Sequence, residues 1–292
     1  MTIELRHLRA FLAIAEEGNV TRAAARLHLS QPALSRTLRQ LEEHLGARLV
    51  DRSTHHLGLT AEGHTFRDKA RAAVAAVETA LDPGGLRSWP LRLGHTWAAL
   101  GVHTVPLLRR WDETHPAVPL ELLRVDDRTA GLTQGRVDAA LLRGAVTAAG
   151  LRAELLLTEE RVVVMPADSP LAALPRITLA DLAAHPVALN TVSGTTTTDL
   201  WPPTARPVAT IEVANTDEWL IAIAAGRAVG VSTSATPGNH THPSLVYRPL
   251  ADAPAVPVVL AWREGPGHPA VADLVALAHR VVAAAQGPSG TA

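Results

Sequence analysis

VTRAAARLHLSQPALSRTLR, Val20 to Arg39, is the stretch on which the reading of the whole chain turns. It predicts two short helices joined by a tight turn, the first opened by Thr21 and the second by Ser30, whose side chains can each satisfy orphan backbone donors. Ala24 and Leu27 of the first helix meet Leu29 of the turn and Leu34, Leu38, Leu41 and Leu45 of the second, at helical spacing, so one face is core. The opposite face of the second helix carries Gln31, Ser35, Arg36 and Arg39. Pro32 is tolerated because the first turn of a helix needs no amide donor there. Glutamine and arginine reach adenine and guanine edges bidentately in a major groove, and serine and arginine also reach phosphates. The pattern is a helix-turn-helix; a small helical bundle with a merely solvated charged face is the bland alternative.

Outward from it, Leu8, Phe11, Leu12 and Ala15 predict a supporting helix over about Leu5 to Glu17, ended by Gly18 and Asn19. Downstream, Leu49 to Leu59 reads as a short hairpin that places Arg52 to reach a phosphate or the minor groove. Two segments, LRHLRAFLAIAEEGNVTRAAARLHLSQPALSRTLRQLEEHLGARLV (Leu5 to Val50) and DRSTHHLGLTAEG (Asp51 to Gly63), together resemble the winged helix-turn-helix of the LysR-type transcriptional regulators. The match fixes many positions. It implies that Thr21 and Arg22 touch backbone phosphates, that Gln31, Pro32, Ser35, Arg36 and Arg39 face the major groove, and that Arg52 with His55 serves the wing. One departure stands out: the family usually has arginine where this chain has His55, and often another basic residue at His56. Neutral imidazoles attract phosphate less than guanidinium does. Wing contacts here are therefore weaker, or strengthen as pH falls, or the two are simply exposed loop residues.

Thr60 can cap a long helix from Ala61 to about Leu81, closed by Asp82, Pro83, Gly84 and Gly85. Phe66, Ala70, Ala73, Val77 and Ala80 alternate spacings of four and three, a narrow seam that asks for a partner helix. At 1.5 Å per residue it is roughly 30 Å long, and its alanines allow close approach of a symmetry mate. A dimer also suits paired DNA half-sites. The family resemblance implies the same linker helix, and often tetramers.

The 292 residues are enough for two domains. The net charge of −1 conceals an asymmetry: residues 1–60 hold eight arginines against six acids, whereas the remainder is net acidic. That suits a small DNA-binding head on a body that does not bind DNA. The absence of cysteine removes disulfides, thiolate zinc sites and cysteine nucleophiles. No apolar run at the start resembles a signal peptide and no stretch is apolar enough to span a bilayer, so the cytoplasm is expected. Arginine outnumbers lysine overwhelmingly, Lys69 being the only lysine, which reads as codon bias and carries no function.

From Leu91 the pattern alternates short apolar runs with amphipathic helices, predicting an α/β body with largely parallel sheet. Strands are expected at Leu91–Gly94, Val118–Val125, Val137–Leu142, Val162–Met165, Val187–Leu189, Val208–Val213, Ala228–Val231 and Val256–Trp262. Helices are expected at about Ala98–Thr114, Arg128–Gln134, Thr178–Ala184, Thr216–Ala225 and His268–Ala285. The whole of Leu91 to Ala285 is similar to the LysR-type effector domain, which has the periplasmic-binding-protein fold of two α/β subdomains. The expected organisation is thus a head at 1–60, a linker helix and hinge at 61–86, and an effector domain at 87–292. Within the last, subdomain I covers about 90–161 plus 264–286 and subdomain II about 162–263.

Two α/β halves joined by crossings create a cleft, and ligands in such sheets sit at strand carboxyl ends beside helix N-termini. Three loops should line it: His95, Thr96 and Trp97; Arg143 with its neighbours; and the hydroxyl-rich NTVSGTTTT, from which Asn190, Thr191, Ser193, Gly194 and Thr195 are the candidates, with Ser232 added from the second half. Free amides and hydroxyls favour an anion, Arg143 can clamp a carboxylate unless it pairs with an acid, and Trp97 can cover a ring unless it is core. The histidine pairs His95/His103 and His240/His242 lack an acidic partner close in sequence and are not read as metal sites. No nucleophile elbow, glycine-rich phosphate fingerprint or paired-carboxylate motif is present, so neither an enzyme nor a bound cofactor is expected. The reading is a homodimeric or homotetrameric DNA-binding regulator modulated by a small, carboxylate-like effector. A constitutive regulator whose cleft is filled by packing, and a small-molecule-binding protein or enzyme with an appended head, remain open.

Overall fold

The computed structural model describes residues 3–51, 57–81 and 89–286. Two compact units emerge, one from residues 1–87 with 133–136 and one from 88–132 with 137–292. Among the described residues no helix is long and apolar enough to cross a membrane.

The first unit begins with α1 (Leu5–Glu17), which buries Ala10, Phe11 and Ile14 and stops at Gly18, whose left-handed backbone (φ 57°) returns its N–H to the Ile14 carbonyl. Next, α2 (Val20–Arg26) is capped by Asn19, not by the expected Thr21: the Asn19 side-chain oxygen accepts from the amides of Thr21 at 2.9 Å and Arg22 at 3.0 Å. The helix α3 (Gln31–Leu45) opens on Ser30 and Pro32, as its sequence predicts. Leu34, Leu38 and Leu41 are buried, but Leu29 and Leu45, expected in the core, are 45% and 41% exposed. The strands β1 (Val50–Asp51) and β2 (Gly58–Leu59) pair antiparallel. Arg52, His55 and His56 lie outside the described residues.

The long helix α4 (Ala61–Ala80) corrects the dimer seam. Phe66 packs edge-on against Phe11 at 5.2 Å, and Ala70 is buried with Val74 in the head's own core. The first half of the predicted seam therefore closes the head. Only Ala73 and Ala80, exposed, and Val77, half-buried, remain unspent.

In the second unit the chain runs β3 (Leu91–His95), α5 (Thr104–Thr114), β4 (Leu120–Arg124), β5 (Ala139–Arg143) and β6 (Leu151–Glu159). It continues with β7 (Arg161–Pro166), α6 (Leu179–Ala183), β8 (Pro186–Asn190), β9 (Ala209–Val213), α7 (Thr216–Ala224), β10 (Val229–Thr233), α8 (Thr236–Asn239), β11 (Leu245–Pro249), β12 (Val256–Arg263) and α9 (Val271–Gln286). Two five-stranded sheets form, ordered β4-β3-β5-β12-β6 and β11-β7-β10-β8-β9. Each is mixed rather than largely parallel: β3 is parallel to β4 and β5, and β8 to β9 and β10, while β12, β6, β7 and β11 join antiparallel. The first crossing is the single residue Glu160 between β6 and β7. The second lies between β11 and β12, earlier than the expected border near 263, because β12 belongs to the first sheet by its pairing with β5 and β6.

Two helix expectations fail for local reasons. Residues 128–134 form turns, because the Asp127 carboxylate takes the amides of Thr129 and Gly131 and Ala130 is left-handed. Residues 98–100 are also non-helical, since Ala98 (φ 51°) and Ala99 (φ 38°) are both left-handed; a short 3-10 turn, Gly101–His103, precedes α5. The β3 sheet packs on α5 and α9 around Trp111, Leu141, Leu260 and Leu274. In the second sheet, one face packs around Met165 and Trp201 and the other around Trp219 and Ile223. Burying a side chain of this size stabilises by about 1.5–3 kcal/mol.

Candidate nucleic-acid interface and ligand cleft

In the head, most arginines are occupied. Arg6 pairs with Glu4, Arg9 with Glu78, Arg22 with Glu17, Arg26 with Glu16 and Glu17, Arg67 with Asp68, and Arg71 with Glu16. Arg36 and Arg39, both exposed on the outer face of α3, have no acidic partner among the described residues. Gln31 and Pro32 are exposed beside them, and the Gln31 amide donates to Ser35 Oγ at 3.2 Å, one helical turn on. Thr21 and Arg22 are exposed at the start of α2, with Arg22 tethered to Glu17. Two helices thus project polar side chains outward from one rigid core. Arg48, also without an acidic partner among the described residues, was not singled out by sequence reasoning.

In the second unit, β3, β5 and β8 end in the three loops expected to line a cleft. The loop after β8 is preorganised: Asn190 Oδ1 accepts from the amides of Val192 and Ser193, and its carbonyl accepts from Gly194. Gly194 is obligatory, since a Cβ there would sit 2.3 Å from the Asn190 carbonyl oxygen. A cavity of about 30 Å³ follows, lined by Trp97, Asn190, Gly194, Thr195, Thr196, Thr216, Trp219, Val231 and Ser232. Its volume suits about one water. Trp97 is 5% exposed. The cavity gathers five of the ten expected cleft residues; His95, Thr96, Arg143, Thr191 and Ser193 do not line it. Sequence reasoning missed Thr196, Thr216, Trp219 and Val231. Thr196 belongs to the threonine run and Thr216 was read as a helix cap; Trp219 and Val231 carry no signal beyond helical and strand periodicity.

Arg143 is not available as a carboxylate clamp. Its guanidinium is 2% exposed and bidentate to Glu159, with Nε and Nη2 donating to the two carboxylate oxygens at 2.9 and 2.8 Å. Nη1 donates to the carbonyls of Trp97 at 3.1 Å and Ala99 at 2.9 Å, and the guanidinium carbon lies 4.5 Å from the Trp97 ring centroid. Glu159 also accepts from Thr233 Oγ1, so one buried carboxylate joins the two sheets. Arg161, 8% exposed, has no carboxylate partner among the described residues: it donates to Pro254 O at 3.0 Å, Thr196 Oγ1 at 3.1 Å and Thr195 O at 3.2 Å. Burial pushes its pKa below the usual arginine value.

His95 Nδ1 and His240 Nε2 are buried without partners among the described residues. Burial lowers both imidazole pKa values; for His95, Arg124 and Arg143 lower it further against Asp126, and for His240, Asp217 opposes and Arg124 adds. Arg124 reaches Asp217 across the sheets at 3.8 Å. Among the described residues no group of three or more His, Asp or Glu side chains is arranged to hold a metal.

A helix-turn-helix head with unpaired arginines, followed by a two-sheet α/β body with a polar cleft, defines a DNA-binding, ligand-sensing class of protein. Residues 5–64 match the bacterial regulatory helix-turn-helix family of lysR type, and residues 84–283 match the LysR substrate binding domain. The chain belongs to the LysR family of transcriptional regulators. It is 30% identical over 297 residues to the Hca operon transcriptional activator HcaR of Escherichia coli, covering 94% of this chain and 97% of HcaR. It is 38% identical to the regulator YnfL of E. coli, a match that spans 64% of this chain and 65% of YnfL. Among solved structures, full-length BenM superposes with a TM-score of 0.54 at 25% identity over 99% of this chain and 100% of BenM. CbnR, at 22% identity, shares the fold with a TM-score of 0.65 over 96% of this chain and 99% of CbnR.

Proposed function

We propose that this chain is an effector-responsive regulator that acts in the cytoplasm. As a homodimer or homotetramer it binds paired half-sites on double-stranded DNA, and a small anion in the body's cleft modulates that binding. The observation that carries the reading is the pair of free arginines on α3. In a head whose other surface arginines are largely ion-paired, two exposed guanidiniums on one helix face are available for phosphate and guanine. Gln31, Pro32 and Ser35 complete that face, Thr21 and Arg22 meet backbone phosphate, and Arg52 with His55 serves the wing. Ala73, Val77 and Ala80 are the part of α4 left for a symmetry mate. Effector binding changes how the two α/β halves meet and so the spacing of paired heads; to do so it must favour one arrangement over the other.

The test is a gel shift on the chain's own upstream DNA across a salt series. Arg36→Ala is expected to abolish specific retention while leaving the oligomer intact. If Arg39 meets phosphate, Arg39→Ala lowers the slope of log affinity against log salt by about 0.9. Unchanged affinity in both variants would remove the assignment of α3 as the reading helix. A second reading, a constitutive regulator, draws on the near-filled cleft. It predicts an operator footprint indifferent to every small molecule.

A further inference from the structure

The corner where α3 gives way to β1 is tied down from both sides. Helix α3 stops at Gly46, whose left-handed backbone (φ 65°) returns its N–H to the Glu42 carbonyl, and the amide of Ala47 reaches the same oxygen at 3.2 Å. The Glu42 carboxylate takes two amides further on, its Oε1 accepting from Leu49 at 2.9 Å and Val50 at 3.2 Å. From the other side Thr60 Oγ1 donates to the Arg48 carbonyl at 2.7 Å, and the Thr60 amide donates to Leu49 O at 3.1 Å. The start of α4 comes so near that a Cβ on Gly63 would sit 2.0 Å from that same Leu49 oxygen. The backbone around Arg48 is therefore fixed to α3 and to the approach to α4, while the Arg48 side chain is exposed.

This mount borders an open concavity of about 430 Å³ whose lining includes Arg39, Arg48, Glu42 and Glu43. The two guanidiniums come from different elements, one from α3 and one from the corner, and neither has an acidic partner among the described residues. Of the carboxylates, Glu42 is occupied by the amides of Leu49 and Val50, and Glu43, exposed one turn beyond Arg39, pairs with neither arginine. Guanidinium matches the geometry of phosphate bidentately. Arg39 lies eight residues past Gln31, about 12 Å along the helix axis. A recognition helix reads base edges with its N-terminal residues, in a groove about 12 Å wide. Arg39 therefore stands where the base edges end and the bordering phosphates begin.

We propose that Arg39 and Arg48 together clamp neighbouring phosphates of one DNA strand at the edge of the groove that α3 enters, Arg39 holding backbone and not base. This deepens the reading of α3 as the DNA-reading helix and rests on it. Selection of sequence then falls to Gln31, Ser35 and Arg36, while the clamp fixes how the helix is seated and adds affinity common to every sequence. The full-length protein is titrated by fluorescence anisotropy onto its own upstream duplex and onto an unrelated duplex of equal length, across a salt series.

Arg39→Gln and Arg48→Gln are each expected to lower the slope of log affinity against log salt by about 0.9, and the double variant by about 1.8, on both duplexes alike. The ratio of upstream to unrelated affinity is expected to stay within about twofold of the wild type in all three, whereas Arg36→Ala collapses it. Arg48→Lys keeps the cation and should keep the slope. Glu43→Gln, which removes a negative charge beside the clamp, should tighten both duplexes by about twofold or more. Arg6→Ala is the control: its guanidinium is already paired with Glu4 at 2.9 Å, and the slope should not change. An unchanged slope in either glutamine variant, or a loss of the affinity ratio in Arg39→Gln or Arg48→Gln like that in Arg36→Ala, would overturn the proposal. Should the wild type bind both duplexes alike while the slopes fall as stated, the clamp stands and the reading of α3 as a sequence-selecting helix falls.

Discussion

Replacing Glu159 with glutamine keeps the shape of the side chain and removes its charge. The carboxylate is 7% exposed and its partner Arg143 2% exposed, with both oxygens spent on the guanidinium and one also on Thr233. The variant leaves a buried guanidinium facing an amide, and breaking a buried pair from one side costs about 3–5 kcal/mol. By contrast Glu78→Gln, which breaks the exposed pair with Arg9, should cost under about 1 kcal/mol. For a unit of about 200 residues each kcal/mol lowers the midpoint by about 2–4 °C, so Glu159→Gln should melt about 6–20 °C below the wild type. Thermal melts followed by circular dichroism, with urea titrations checked for an unchanged m-value, measure it. The double replacement Arg143→Met/Glu159→Met should return within about 1–2 kcal/mol of the wild type, since a packed apolar pair can replace a buried ion pair. A Glu159→Gln cost as small as that of Glu78→Gln would refute the account of Arg143 as an internal strut.

Asn19→Ala should destabilise the head by about 1 kcal/mol, whereas Thr21→Ala, which removes no cap, should be close to neutral; a reversed order in denaturant titrations would restore Thr21 as the cap. Gly230→Ala would place its Cβ 2.1 Å from Trp219 Cζ2 and 2.5 Å from Ile223 Cδ1, both buried, and should cost about 1–3 kcal/mol or more in urea unfolding, a loss under about 0.5 kcal/mol counting against the close approach. Because burial holds His95 and His240 below the ordinary imidazole value of about 6.5, the unfolded chain takes up protons first as pH falls through that value. The melting temperature of the second unit should therefore drop between pH 7.5 and 5.5, and His95→Asn/His240→Asn should flatten that slope; an identical slope in the double variant would exclude these two groups as its source.

The helices of the head were legible because their signals are local: Ser30 and Pro32 open α3, Gly18 and Gly46 close their helices, and leucines three and four apart mark the buried face. The strands of the body were largely legible from apolar runs, but β6 and β11 were not: the first half of β6 is exposed, and β11 is a five-residue run that ends in Arg248 and Pro249. What periodicity could not supply was the competition at each site. Asp127 diverts a helix into turns by taking two amides. Phe66 and Ala70 have the spacing of a dimer seam but find Phe11 in their own chain first. Arg143 looks like a free clamp until Glu159, sixteen residues away, is brought against it by β5, β6 and the strand between them. The hydroxyl-rich loop at Asn190 was marked by composition alone, whereas Arg161, lying outside any motif, became visible only once folding had left it buried without an acid.

The chain passes between the two sheets of the body twice, once through Glu160 and once through residues 250–255, and Arg161 ties the first passage to Pro254 on the second. A rigid body carried on two neighbouring pivots can swing only about the line that joins them. The Arg161 contact holds the two passages beside each other. The two halves of the body are therefore joined along one edge, through two passages that lie side by side.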